Sequence, residues 1–322
     1  MNYRKLGRTG FEVSGIGHGL WGMSGWSGSS DQESLAALQL AVDLGCNFYD
    51  TAWAYGEGKS DGLLGEIMAR NPNKRLYAAS KIPPANDRWP ALPEYKYHDV
   101  FSPKHVFKYA DKIRQQLRTD TIDLLQFHVW DDSWTNEPDF RSTVEKLKHD
   151  GWIRYFGLSI NRWQAENGIK ALRTGLVDVV QVIYNIFDQS PEDELFPVCQ
   201  ELNVGVIARV PFDEGSLGGK MTLETRFPKD DWRSGYFGPE NLAKTIKRVD
   251  QLKEILPAGM TLPEMALRFI LSHPAVGTTI AGMRKLDHVR QNIASDSGPL
   301  DKALLAELKK HRWDRTPQRW SD

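Results

Sequence analysis

The chain has 322 residues, with Lys+Arg 41 against Asp+Glu 42 and a net charge of -1, so no global field favours nucleic acid or an anionic membrane. Its only two cysteines, Cys46 and Cys199, are too few for a disulfide framework or a cysteine metal cluster and agree with a reducing compartment. The opening MNYRKLGRTG lacks the apolar core of a signal peptide, and no later run approaches the length of a spanning helix; a cytoplasmic protein is expected, built as one domain over 1–322.

Residues 2–13 read as a small hairpin turning at Arg8-Thr9-Gly10, expected to plug one end of the fold. A first strand near 13–17 leads into GHGLWG, and Ser30-Asp31-Gln32-Glu33 is a capping box opening a helix that stops at Gly45. Strand two is 47–50, Ser60 is the expected cap of a helix with Leu63, Leu64 and Ile67 inward, and strand three follows at 76–81. The connection 82–101 is too proline-rich for a helix, and its length suggests function.

Ser102-Pro103 supplies a cap and first-turn proline for a helix with Phe107, Ala110, Ile113 and Leu117 on one stripe. Strand four at 122–128, an aromatic loop at 129–138, a helix at 140–151, strand five at 153–159, a helix at 163–173 and strand six at 177–184 come next. Ser190-Pro191 repeats the cap signal before strand seven at 204–210. A glycine-bearing loop at 211–239 precedes helices at 240–256 and 261–272, strand eight at 276–280 and its helix at 286–294; a terminal helix spans 300–311. Eight strand–helix units with mostly unalternating apolar strands predict a (β/α)8 barrel with an N-terminal hairpin and an extra C-terminal helix.

Three of the apolar runs end on one polar group each, at Asp50, Lys81 and His128, with Tyr55 in the loop after Asp50. That pattern suits a barrel whose C-terminal rim carries the chemistry. Two motifs point elsewhere and are rejected. Gly17-His18-Gly19-Leu20-Trp21-Gly22 fits a dinucleotide fingerprint literally, but no helix is expected to open at its last glycine. Tyr55 and Lys59 spell Tyr-x-x-x-Lys, with two glycines between them that argue against the helix such a pair needs. No metal site is suggested by ligand spacing.

Taken together, YRKLGRTGFEVSGIGHGLW, FYDTAWAYGEGKSDGLLG, AASKI, DLLQFH, WIRYFGLSIN, VVQVIYN, GSLGGK and GMRKLDHVRQN resemble the aldo-keto reductases in shared order over nearly the whole chain. The resemblance implies a nicotinamide cofactor across the C-terminal face and reduction of a small carbonyl compound. Tyr55 would be the proton donor, Lys81 would lower its pKa of about 10, Asp50 would neutralise and orient Lys81, and His128 would hold the carbonyl oxygen.

The resemblance further implies cofactor contacts at Gly19, Leu20, Trp21, Ser159, Asn161 and Gln181, and at Arg209 where the family usually has an aromatic. Pro211 and Phe212 would be further cofactor contacts, and Gly215, Ser216, Leu217, Gly218, Gly219 and Lys220 would fold over the pyrophosphate. Gly282, Met283, Arg284 and His288 would take the adenosine phosphate, with Gln291 and Asn292 at the adenine; NADPH is expected and NADH remains possible. Trp21, Trp53, Trp89 and Trp130, with Trp134 nearby, fall in or beside rim loops and suggest an aromatic substrate pocket, whereas Asp131 and Asp132 would suit a polar or cationic one.

A cofactor-binding redox sensor or accessory protein with little turnover is the alternative. A hydrolase pairing Asp50 with Asp131 or Glu57 is a third reading. Nothing in the sequence demands an obligate assembly, so a monomer or weak homo-oligomer is expected.

Overall fold

The structure, a computed structural model, describes residues 1–25, 28, 30–229 and 231–315. Trp26, Ser27 and Ser29 of the first rim loop, Asp230 of the 211–239 loop and the end of the expected domain, 316–322, lie outside the described residues. An antiparallel pair, β1 (Tyr3–Lys5) and β2 (Glu12–Ser14), precedes the repeating units. These are β3 (Ile16–Gly19), α1 (Asp31–Asp43), β4 (Phe48–Asp50), α2 (Lys59–Arg70), β5 (Tyr77–Ile82), α3 (Tyr97–Phe101), α4 (Pro103–Leu117), β6 (Ile122–Phe127), α5 (Pro138–His149) and β7 (Ile153–Ser159). There follow α6 (Ile169–Arg173), β8 (Val179–Ile183), α7 (Leu195–Glu201), β9 (Gly205–Arg209), α8 (Arg233–Tyr236), α9 (Pro239–Glu254), α10 (Leu262–Leu271), β10 (Val276–Gly282), α11 (Leu286–Ala294) and α12 (Lys302–Lys309). Strands β3 to β10 are parallel neighbours throughout and β10 returns to β3, closing the barrel.

Alternation along each strand decides what fills the interior, because every second residue faces the same way. Phe48, Ala79, Leu124, Val179, Ile207 and Ile280, one from each of six strands, join Leu6, Phe11 and Val13 in one dry cluster. Leu6 is the stopper. A Cβ on Gly205 or Gly277 would lie 2.8 or 2.9 Å from Leu6, so only glycine leaves it a seat at the N-terminal ends of β9 and β10. The hairpin therefore caps the floor of the barrel.

Several local expectations give way to tertiary structure. The strand expected at 13–17 is split between β2 and β3, because the chain leaves the hairpin and enters the barrel at Gly15. Ser60 caps nothing: Gly58, at φ 86, precedes α2, and the Ser60 hydroxyl is 2.5 Å from Thr51 Oγ1. The proline-rich connection does contain a helix, α3, whose Tyr97 and Phe101 pack on Phe127. Burial overrides composition there. The helix expected over 163–173 begins only at Ile169, since Trp163 has φ 57 and Gly168 has φ 155. Ser190-Pro191 opens one 3-10 turn with no side-chain cap, and α7 starts later, at Leu195. Phe107 is half-buried, and Val106 takes its place on the inward stripe of α4. No helix among the described residues is long and apolar enough to cross a membrane.

Candidate active site

Two residues beyond five of the six floor side chains, the same interior face turns polar. Phe48 is followed by Asp50, Ala79 by Lys81, Leu124 by Gln126, Val179 by Gln181 and Ile207 by Arg209, all at or near the C-terminal ends of their strands. Buried polar groups of this kind need partners. Lys81, fully buried, donates to Asp50 Oδ1 at 2.5 Å and to the Thr51 carbonyl at 2.8 Å. Gln181 donates to Asp50 Oδ2 at 2.7 Å, and Gln126 reaches the same oxygen at 3.5 Å while accepting from Gln181 at 3.4 Å. Asp50 is thus the hub of a closed network.

Tyr55 stands on the tight turn after β4, with the Lys81 ammonium 5.2 Å from its ring centroid. Its ring meets that of His128 at 5.7 Å, edge to face, and Trp89 approaches His128 from another side at 5.9 Å. The turn is located by Trp53, whose indole lies where a Cβ on Gly58 would be, 2.6 Å away.

Burial raises the pKa of the Tyr55 phenol, with Asp50 acting in the same sense; Lys81 and Arg209 pull it down but do not prevail. Lys81 acts in the expected sense, but desolvation outweighs it and the net shift is upward. The phenol is a firmly protonated acid. Burial also opposes the Lys81 ammonium, yet Asp50 and Tyr55 more than offset it and the lysine pKa rises. His128 is held well below its ordinary value by burial, then by Lys81 and Arg209, so its ring is neutral, and its buried Nδ1 has no hydrogen-bond partner. A protonated phenol and a neutral imidazole side by side offer two donors to one oxygen.

Arg209 ends β9 beside this pair. Its Nη2 donates to the Ile160 carbonyl at 3.0 Å while its buried Nε has no partner, and burial followed by repulsion from Arg162 lowers its pKa to about 10. Asn161 is engaged at both ends, its amide oxygen accepting from Ala91 N at 3.2 Å and its nitrogen donating to Ala91 O at 2.9 Å and Gln164 Oε1 at 2.9 Å. Its role here is to anchor the proline-rich loop. Ser159 is buried and pairs in register with Gln181. Gly19 ends β3, Leu20 is buried with its N–H on the Asp50 carbonyl at 2.9 Å, and Trp21 is exposed.

The loop after β9 is pinned from several directions. Glu214 pairs with Arg162 at 2.5 Å, Asp213 with Arg315 at 2.8 Å, and the Ser216 hydroxyl donates to Asp213 at 2.7 Å. Pro211 and Leu217 are buried and Phe212 half-buried, whereas Gly215 and Lys220 are exposed and a Cβ on Gly218 would meet open space. Gly282, the last residue of β10, is exposed, and Met283 after it is buried. Burial lowers the His288 pKa, and the charges of Lys285, Lys220 and Arg284 lower it further, which brings these four side chains into one cationic neighbourhood. Gln291 is exposed and Asn292 buried on α11.

Other expected site residues fall elsewhere. Trp130 is not part of a pocket wall: it is fully buried, packed on Phe140 at 4.7 Å, with Nε1 donating to Asp132 at 2.8 Å. A large indole gains more from the core than from the rim. Trp134 is likewise buried, bonded to the Tyr95 carbonyl. Asp132 accepts from the Lys170 and Ala171 amides, and Asp131 accepts from the Ser133 amide, so both acids serve the loop rather than a substrate. Glu57 is exposed, and with Asp50 fully engaged the paired-acid hydrolase has no free second carboxylate at the hub. Lys59 pairs with Asp31 at 2.8 Å instead of with Tyr55, and only a 3-10 turn (Trp21–Met23) follows the glycine-rich segment. Among the described residues no group of three or more His, Cys, Asp or Glu could hold a metal.

Sequence reading missed Gln126, Lys285 and the Arg162–Glu214 and Arg315–Asp213 pairs. Gln126 was within reach, because it alternates with Leu124 and His128; the pairs depend on distant segments and leave no local signal.

Comparison with known proteins matches this geometry. The NADH-specific methylglyoxal reductase of Escherichia coli (strain K12) is 26% identical over 322 residues, covering 94% of this chain and 97% of its own. The aldo-keto reductase yakc of Schizosaccharomyces pombe, whose name carries NADP(+), is 26% identical over 314 residues, covering 95% and 90%. The glycerol dehydrogenase of Gluconobacter oxydans superposes with a TM-score of 0.79 at 26% identity, over 98% of this chain and 97% of that one. The model of the Aldo/keto reductase family matches residues 15–312. This chain, with its buried Asp50–Lys81 pair at the barrel rim, belongs to the aldo/keto reductase family of oxidoreductases.

Proposed function

We propose that this protein reduces an aldehyde or ketone to the alcohol with NADPH, Tyr55 giving the proton. The observation that carries the reading is the fully buried Asp50–Lys81 pair set against a protonated phenol and a neutral imidazole. The cofactor, when bound, supplies the hydride. Tyr55 and His128 hold the carbonyl oxygen, Tyr55 passes its proton to that oxygen as negative charge develops, and Lys81 with Arg209 stabilises the phenolate left behind. Asp50, fixed by Gln181 and Gln126, keeps Lys81 aimed and charged.

Lys220, Arg284 and Lys285, gathered around a neutral His288, fit the extra phosphate of NADPH through a local concentration of positive charge that exceeds the one facing carboxylate, Asp287. The Escherichia coli and Schizosaccharomyces pombe relatives carry opposite cofactors in their names. The choice here therefore rests on that cluster. We expect Arg284→Ala to weaken NADPH about tenfold and to leave NADH nearly unchanged. Equal weakening of both in fluorescence titrations would remove the phosphate contact.

The half-buried Trp89 against His128 favours an aromatic or otherwise apolar carbonyl compound. The protein would act as one barrel domain over 1–322, as a monomer or weak homo-oligomer, in the reducing cytoplasm that its two buried free cysteines suit. The test is the initial rate of nicotinamide oxidation with a generic aromatic aldehyde, NADPH beside NADH. Turnover preferring NADPH supports the reading. No turnover despite tight NADPH binding would favour the sensor or accessory role instead.

A further inference from the structure

Behind the tetrad, on the helix side of the strands, lies a second carboxyl that the reduction does not use. Asp61, in the first turn of α2, is completely buried. Its Oδ1 accepts from the Ser80 hydroxyl at 2.7 Å, and its Oδ2 has no partner. Ser80 immediately precedes Lys81. Thr51 immediately follows Asp50, offers its carbonyl to Lys81 at 2.8 Å, and has its hydroxyl 2.5 Å from that of Ser60, the neighbour of Asp61.

We infer that Asp61 is a positioning residue for the Asp50–Lys81 pair, holding the two strand ends through Ser80 and Thr51 and transmitting its own charge state to Tyr55. This rests on the carbonyl-reduction reading above. An unpartnered oxygen makes sense for a group that must lose and regain a proton without rearranging its surroundings. Burial pushes its pKa up to about 7, opposed by the Ser80 hydroxyl, Lys81 and Thr51 and reinforced by Asp50. The charges that act on it are Lys81 and Asp50 across the strand layer, and α4 brings the neutral Gln116 amide beside the neighbouring Gly62.

When Asp61 ionises, the added negative charge behind Lys81 opposes phenolate formation at Tyr55, as Asp50 does. The acid weakens. Reduction should therefore fall from a higher to a lower plateau as pH rises through about 7. A drop of about threefold corresponds to half a pKa unit at the phenol.

The test compares kcat/KM for reduction against pH in the full-length wild type, Asp61→Asn and Ser80→Ala. Asp61→Asn should hold the higher plateau throughout, and Ser80→Ala, which removes a hydrogen bond to the ionised carboxylate, should move the inflection up by about one pH unit. A merely structural role would lower all rates and leave the inflection in place; that result, or an unmoved inflection in Ser80→Ala, overturns the inference.

Independently of turnover, NMR of labelled aspartate carboxyls and tyrosine rings in the resting protein should show Tyr55 responding at the midpoint of Asp61 in wild type and not in Asp61→Asn. A Tyr55 signal indifferent to Asp61 defeats the coupling. Absent turnover with the NMR coupling intact defeats only the carbonyl-reduction reading.

Discussion

The floor and the rim of this barrel are built on the same strands, two residues apart, and obey opposite rules. On the floor Phe48, Leu124, Val179, Ile207 and Ile280 meet the Leu6 stopper in an apolar layer where shape alone matters. At the rim Asp50, Lys81, Gln126, Gln181 and Arg209 are nearly as buried, yet each requires named partners. An apolar layer tolerates exchange of one hydrocarbon for another. A polar layer fails when one member is removed, because its partner is left charged and dry. The difference teaches where stability and chemistry are kept apart.

The sharpest way to break that separation is at Tyr55, which stands on the loop above the strands and meets the rim through Lys81. Tyr55→Phe should cut kcat/KM by about 10³-fold while leaving the melting temperature close to wild type. Full activity in that variant would remove the proposed acid. At Lys81 the two properties should fall together: Lys81→Met leaves Asp50 buried without its cation and should cost about 3–5 kcal/mol in urea unfolding. Adding Asp50→Asn should restore most of that stability and none of the activity, and a rescue of activity would contradict the assignment.

On the floor, Leu6→Ala should cost about 2–5 kcal/mol, with kcat/KM of the folded fraction unchanged. A large catalytic effect there would mean that the layers are coupled. The last expected effect depends on pH. Asp61 has a folded pKa of about 7 against an ordinary 3.8, so its ionisation opposes folding increasingly as pH rises between those values and by a constant amount above them. Relative to wild type, Asp61→Asn should gain stability from pH 5 to pH 8, by about 3 kcal/mol at most, and a flat difference in denaturant melts would deny the shift.

The barrel was legible because eight apolar runs recur with helix signals between them. Asp50, Lys81 and His128 were visible because each closes such a run. What stayed hidden was direction. Gln126 sits inside DLLQFH, buried on both faces, and only its alternation with His128 marks it as facing the barrel interior. Trp130 follows a strand as a rim residue should, yet turns into the core against Phe140. Loop position does not tell where an indole points. Trp163 and its positive φ cancel a helix that local pattern supports, and Arg315 reaches Asp213 and Asp188 from the far end of the chain. Neither is a property of neighbouring residues.

The Leu6 seat has a consequence in time. The stopper is made long before Gly205 and Gly277, which receive it. The Asn2 side chain bonds the carbonyl of Asp296, and Thr278 bonds that of Ser14, so the opening segment waits for nearly the last strand. Contacts so far apart in the chain close slowly. A nascent barrel must therefore carry its apolar floor open to solvent until its last strand has been made, about tens of seconds at ordinary translation rates, and its exposure to aggregation or chaperone capture falls in that interval.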